Sequence, residues 1–360
     1  MDMNTPLSSP IVLFRICELF FEGKNVAQIA KALSGEMKRT VSRERVYPLL
    51  RKALDEGLLR MVPPIEQTLA SEVADQFEVD SDSGITVVNT ATAFGRHADH
   101  VATVTARVAM DRILELQRKK KPGEPVHLGL GPGHGTLMFS RELSKLLQDP
   151  HAPKLRLYAI TAGVFNDASP EYSPLAFFNV FPPHVVDGCV ALFAETVVRC
   201  VDFPVVIGQP GVAHAFEQKE NVEIVVTSMG DITDPRDQYG QYLEKHAPGK
   251  RKQLMDRGCI GNIQYRPYTD AGPLKESPDD LRAVTMFELD ELTAMAQRKG
   301  RHVILMARRF GTRDEAMPRS AALWPLMRSR KLRVWSDLVT HVDVARELLV
   351  IDRERGGLAE

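Results

Sequence analysis

Nothing in this 360-residue chain approaches the run of about 20 apolar residues that crosses a bilayer, which excludes a helical membrane span. The opening MDMNTPLSSP carries an acid and no basic stretch before the apolar residues that follow, so it does not read as a secretory signal. Cysteine is scarce. Cys17, Cys189, Cys200 and Cys259 form no Cys-x-x-Cys pair, and no histidines join them at metal-ligand spacing. We therefore expect four buried, reduced thiols, no metal, and a cytoplasmic protein. A charge excess of one sign is also missing, since the net charge is −1. That excludes a chain that is basic or acidic throughout, but it leaves room for local asymmetry.

The asymmetry sits near the N-terminus. Residues 24–52 hold eight Lys/Arg (Lys24, Lys31, Lys38, Arg39, Arg43, Arg45, Arg51, Lys52) against Glu36 and Glu44, a local balance of +6. Such a cluster on a short helical module is the electrostatic footprint of a nucleic-acid binder. Ile11, Val12, Phe14, Ile16, Leu19 and Phe20 suit a first helix that Gly23 stops. Asn25 is placed to cap a second helix over 26–33, which Ser34-Gly35 breaks. Ser42 is placed to cap a third helix running to about Glu56, with Gly57 ending it. Pro48 falls inside that third helix, where a missing donor kinks it or delays its start. Residues 58–62 read as a rudimentary wing strand. In a helix-turn-helix plan the start of the last helix enters the major groove. The candidate DNA-binding residues are therefore Arg39, Ser42, Arg43, Arg45, Tyr47 and Arg51.

Pro63-Pro64 closes this module, so we divide the chain into a DNA-binding domain (1–62), a linker helix and loop (63–84), and an effector-binding and oligomerisation domain (85–360). Ile65, Leu69, Val73 and Phe77 recur every four residues, a stripe suited either to pairing subunits or to packing on the chain's own body. Strand patterns follow at 85–89, 126–130, 155–160, 205–207, 222–226, 302–306 and 332–336. Helical patterns lie at 98–116, 137–147, 190–201, 288–298 and 342–349. Alternation of this kind predicts an α/β body with a largely parallel sheet.

Three loops carry candidate chemistry. VHLGLGPGHGT (126–136) runs from a strand through glycines into a helix N-terminus, a setting that offers backbone N–H groups to an anion. It lacks the Gly-Lys-Ser/Thr ending of a P-loop, and His134 stands where a dinucleotide fingerprint has its last glycine. Gly131, Gly133, His134, Gly135 and Thr136 are the candidates here. TSMGD (227–231) and GCIGNIQYRPYTDAG (258–272) follow later strands and offer Ser228, Asp231, Asn262 and Gln264 to sugar hydroxyls. Arg308 and Arg309 follow the 302–306 strand and offer charge to a phosphate.

Taken with VSRERVYPLLRKALDEGLL near the N-terminus and VWSDLVTHVDVARELL near the C-terminus, these motifs make the chain resemble the SorC-type sugar-binding transcriptional regulators over nearly its full length. The resemblance implies an effector domain of the ribose-5-phosphate isomerase and glucosamine-6-phosphate deaminase fold group. It implies a phosphorylated sugar with its phosphate on Gly131–Thr136, and dimers or tetramers on operator DNA. The chain departs from the pattern at Asn262, where the family often has Asp, and at Pro48. It also lacks the family's late Gly-Gly-x-x-Lys loop, for which Arg308, Arg309 or Arg319 would substitute. The expected function is a non-enzymatic regulator of a carbohydrate operon, with no cofactor and with DNA and a sugar phosphate as partners. The alternatives are a sugar-phosphate isomerase or deaminase, with Asp231, Asp270 or His134 as base, and a redox-sensing repressor with a nicotinamide cofactor, which the glycine spacing disfavours.

Overall fold

The computed structural model describes residues 5–80, 83–91, 99–163, 169–308 and 319–356. It divides into two compact units, Met1–Val62 and Pro63–Glu360.

The first unit is built from α1 (Pro10–Phe21), α2 (Val26–Met37) and α3 (Val46–Asp55). Pro10 occupies the first turn of α1, where its missing N–H costs nothing. Asn25 and Gln28 form a reciprocal capping box at the start of α2. Ser34-Gly35 does not break α2. The helix runs on to Met37, the Ser34 hydroxyl bonds back to Ala30 O, and Lys38 at φ 50° ends the helix. The third helix starts later than Ser42. A single 3-10 turn, Arg43–Arg45, precedes α3, and the Ser42 side chain makes no cap bond. Pro48 thereby falls in the first turn of α3, where a backbone donor has no intrahelical partner. Val12, Leu13, Ile16, Ile29, Leu33, Met37, Val46 and Ala53 close a small core. Residues 58–62 form no strand.

The second unit begins with α4 (Gln67–Gln76), β1 (Gly84–Val88), α5 (His100–Gln117), β2 (Val126–Leu130), α6 (His134–Leu146) and β3 (Leu155–Ala159). Next come α7 (Pro174–Phe177), β4 (Val186–Val190), β5 (Val197–Arg199), α8 (Phe203–Ile207), α9 (Pro210–Glu217) and β6 (Ile224–Asp231). The chain continues through α10 (Gln238–His246), α11 (Lys250–Asp256), β7 (Gly261–Ile263), β8 (Arg266–Tyr268) and β9 (Leu281–Ala283). It ends with α12 (Leu289–Ala296), β10 (His302–Ala307), α13 (Ser320–Arg328), β11 (Asp337–His341) and α14 (Val342–Gly356).

Seven strands pair in parallel in the order β1-β11-β10-β6-β2-β3-β4, and the β7–β8 hairpin adds antiparallel to the far end of β6. Strand periodicity divides the core into two layers. Ile304 and Met306 pack with α5 and α6 on one face, while Val303 and Leu305 pack with α12, α13 and α14 on the other. The stripe Leu69, Val73 and Phe77 is buried in the second of these cores, so α4 packs on its own unit.

Three spans differ from expectation. Residues 190–201 are not a helix; they hold the end of β4, a turn and β5. Residues 205–207 belong to α8, whose first turn takes Pro204. The strand expected at 332–336 lies at Asp337–His341. Cys189 is exposed and Cys200 half-buried, so only Cys17 and Cys259 are the buried thiols expected. Among the described residues no metal-ligating cluster is present, and no helix is long and apolar enough to cross a membrane.

Candidate effector site at the switch point of the sheet

From β2 the chain winds outward through β3 and β4. From β6 it winds the other way through β10 and β11. β2 and β6 are neighbours, so the sheet reverses direction between them. Ligands of open α/β sheets bind beyond the strand ends at such a point. A cavity of about 260 Å3 opens there.

Its first wall is the start of α6. Gly133 turns the chain at φ 102°, donates to Tyr172 O at 2.9 Å, and aims the first turn of the 13-residue α6 at the cavity. Orphan N–H groups and the helix dipole favour an anion there. Beneath this turn lies Arg308, which follows β10 and is almost completely buried. Its Nη1 donates to Asp99 Oδ2 at 2.5 Å, and its Nη2 lies 3.1 Å from His134 Nδ1. Burial first, and then the Arg308 charge, press the His134 pKa down to about 4, so the imidazole is neutral at pH 7.

The second wall is polar. β6 extends three residues past its parallel partners, and Gly230 pairs with Asn262 of β7. Only glycine fits at 230, because a Cβ there would collide with the Asp237 carboxylate and the Asn262 amide. Asn262 Nδ2 donates to Asp237 Oδ1 at 3.1 Å, and Gly240 N donates to Asp237 Oδ2 at 2.8 Å. Burial nevertheless raises the Asp237 pKa to about 6. The turn joining β7 to β8 places Gln264 and Tyr265 at φ 51° and 63°, a two-residue turn usually filled by Asn and Gly. Tyr265 Oη donates to Gln238 Oε1 at 2.7 Å. Gln264 Oε1 accepts from Thr285, while its buried Nε2 has no partner among the described residues.

Gly133, His134, Gly135, Ser228, Asn262, Gln264 and Arg308 thus line one cavity. Gly131 does not. It is buried between β2 and β6, donating to Val226 O. Thr136 also faces inward, its hydroxyl bonded to Pro132 O at 3.4 Å. Asp231 is occupied with Thr233 N and Oγ1, at 2.8 and 2.6 Å. Arg309 lies outside the described residues. Arg319, the substitute considered beside Arg308, lines the cavity too, while sequence reading missed Asp237, Gln238, Tyr265, Tyr172 and Arg236. Of these, Asp237 alone had a local signal, as an N-cap three residues before Gly240.

In the first unit, Ser42, Arg43, Arg45, Tyr47 and Arg51 are all exposed, around the 3-10 turn and the start of α3. Arg39 is not exposed. Its Nη2 donates to Thr5 O at 2.6 Å, which ties the segment before α1 to the end of α2.

No protein-family model matches the sequence, and no curated protein matches it either. Solved structures do match. The full-length sorbitol operon regulator SorC from Klebsiella pneumoniae superposes with TM-score 0.58 at 14% identity, over 95% of this chain and 99% of that one. A DeoR-family transcriptional regulator from Listeria monocytogenes gives 0.58 at 14%, over 78% and 98%. A probable sor operon regulator from Shigella flexneri gives 0.55 at 14%, over 79% and 98%. At this identity the likeness is one of fold, and the chain has the fold of the SorC-type sugar-binding regulators over nearly its whole length.

Proposed function

We propose that this chain is a DNA-binding transcriptional regulator of a carbohydrate operon, controlled by a phosphorylated sugar in the cavity between β2 and β6. The carrying observation is the two-ended cavity. The α6 N-terminus with Arg308 suits a phosphate. The other end has Asp237 and Asn262 for hydroxyls and Gln264 Nε2, unpartnered among the described residues, for an oxygen acceptor. A buried amide without a partner, on a residue held at positive φ, is a cost that a ligand would offset. The exposed Arg43, Arg45, Tyr47 and Arg51 supply the DNA-facing surface in this reading, with the 3-10 turn and α3 entering the major groove. Pairing of two such units on a two-fold operator would make the protein a dimer or tetramer. The solved structures of like fold include a sorbitol operon regulator and a probable sor operon regulator, which agrees with this reading.

One observation favours an enzyme: a buried carboxyl with a pKa near 6 in a cavity is the setting of a general base. Both Asp237 oxygens, however, are taken by Gly240 N and Asn262 Nδ2. Asp231 is held by Thr233, and His134 by Arg308. The sensor reading therefore stands ahead. A thermal-denaturation panel tests it. Phosphorylated pentoses and hexoses should raise Tm, since a ligand at 100 times its Kd adds about 2.7 kcal/mol, while the unphosphorylated sugars should not. Equal shifts from both sets would remove the phosphate. Turnover of any phosphorylated sugar in the same panel would favour the enzyme.

A further inference from the structure

Asp99 ties two elements together. Its Oδ1 accepts Ala102 N at 3.1 Å and caps α5, an 18-residue helix. Its backbone carbonyl also takes the Thr103 hydroxyl at 3.0 Å. Its Oδ2 takes the Arg308 guanidinium, and both partners of that ion pair are nearly inaccessible to solvent. Arg308 faces the cavity and Asp99 does not. The guanidinium also flanks Gly135 in the first turn of α6, where the anion end of the cavity lies. Arg308 gives Asp99 a single donor, Nη1, and turns Nη2 to His134 Nδ1, so an anion that took both ends of the guanidinium at the start of α6 would draw Nη1 from Asp99. α5 packs along α6, and Val101, Ala102 and Val104 belong to the core under the sheet.

Resting on the reading that the cavity takes an anion, we propose that Asp99 is an internal competitor for the effector. The anionic group at the start of α6 draws Arg308 away from Asp99, and the loosened carboxylate changes the capping of α5. Occupation of the cavity is thereby communicated to a long helix that the ligand never touches. The exchange makes and breaks only hydrogen bonds and ion pairs.

The test uses the full-length protein with inorganic phosphate as the probe. Asp99→Asn keeps an oxygen for Ala102 N and removes the competing charge, so phosphate should bind about tenfold tighter than to wild type by calorimetry. Arg308→Gln should abolish that binding. In the wild-type protein, phosphate should speed amide hydrogen exchange at Val101, Ala102 and Thr103. Unchanged or weaker phosphate binding by a folded Asp99→Asn overturns the proposal. Unchanged exchange at the three amides also overturns it, and that second measurement decides alone if Asp99→Asn does not fold. If the wild-type protein binds no phosphate, the anion reading of the cavity itself falls and takes this inference with it.

Discussion

Gly133, at φ 102°, has a conformation that L side chains rarely adopt, and from it α6 receives its direction. Gly133→Val should cost about 1–3 kcal/mol of stability through backbone strain alone. It should also remove the Tm response to phosphorylated sugars, because the branched side chain would enter the cavity near Ser228 and Gln238. A variant that responds at wild-type concentrations would place the phosphate elsewhere. His134 and Asp237 make a second residue-scale test. The His134 pKa lies at about 4 against an ordinary 6.5, so its contribution to stability is full above 6.5 and is lost as pH falls toward 4. The Asp237 pKa lies at about 6 against an ordinary 3.8, so its contribution is full below 3.8 and is lost as pH rises through 6. The two slopes oppose each other. Relative to wild type, the stability of His134→Gln should tilt downward from pH 4 to 6.5, and that of Asp237→Asn upward from pH 4 to 6. Urea midpoints at pH 4.5 and 7 read both signs, and parallel curves would refute the assignments. The glycine loop was legible because its signal is local. Gln264 and Asn262 were legible as polar loop residues, but Gln238 and Tyr265 were not. Tyr265 reaches the cavity through the long-range pairing of β6 with β7 and meets Gln238 at the start of α10, 27 residues away, a meeting that no short window of sequence contains.

At the scale of elements, the proposed DNA contact rests on the 3-10 turn ahead of α3. It places Arg43 and Arg45 before the helix proper, both exposed, and lets Pro48 sit in the first helical turn. Arg43→Ala and Arg45→Ala should each weaken operator binding about tenfold while changing stability by less than about 0.5 kcal/mol. Unchanged affinity in both would take this turn off the DNA. Arg39→Ala should act differently, loosening the segment at Thr5 that its guanidinium holds. The same scale explains the misread spans. Residues 190–201 hold apolar runs from two short strands, the end of edge strand β4 and β5, which pairs antiparallel with β9; joined by a short connection, they mimic one helical span. Residues 205–207 (Val, Val, Ile) have strand propensity, but Pro204 suits a first helical turn and α8 forms instead. β11 reads DLVTH, with polar ends that are buried only because Asp337 pairs with Arg112 and His341 bonds Thr90.

For the whole molecule, the parallel sheet was legible from strand–helix alternation. The strand order was not, and it is the order that places the cavity between β2 and β6. The local charge of residues 24–52 and the division at Val62 give the other half of the account. The most direct test of the two halves together is fluorescence anisotropy of the full-length protein on DNA flanking its own gene, over a range of salt, with and without the sugar phosphate that most raises Tm. We expect binding that weakens steeply as salt rises, as counterion release requires. The sugar phosphate should shift that affinity at least fivefold, a coupling of about 1 kcal/mol. Charge reversal at Arg43 and Arg45 should abolish binding and leave the Tm response to the sugar intact. Specific DNA binding that survives the reversal, or that the ligand leaves unchanged, would contradict a regulator that reads DNA with its first unit and a sugar phosphate with its second.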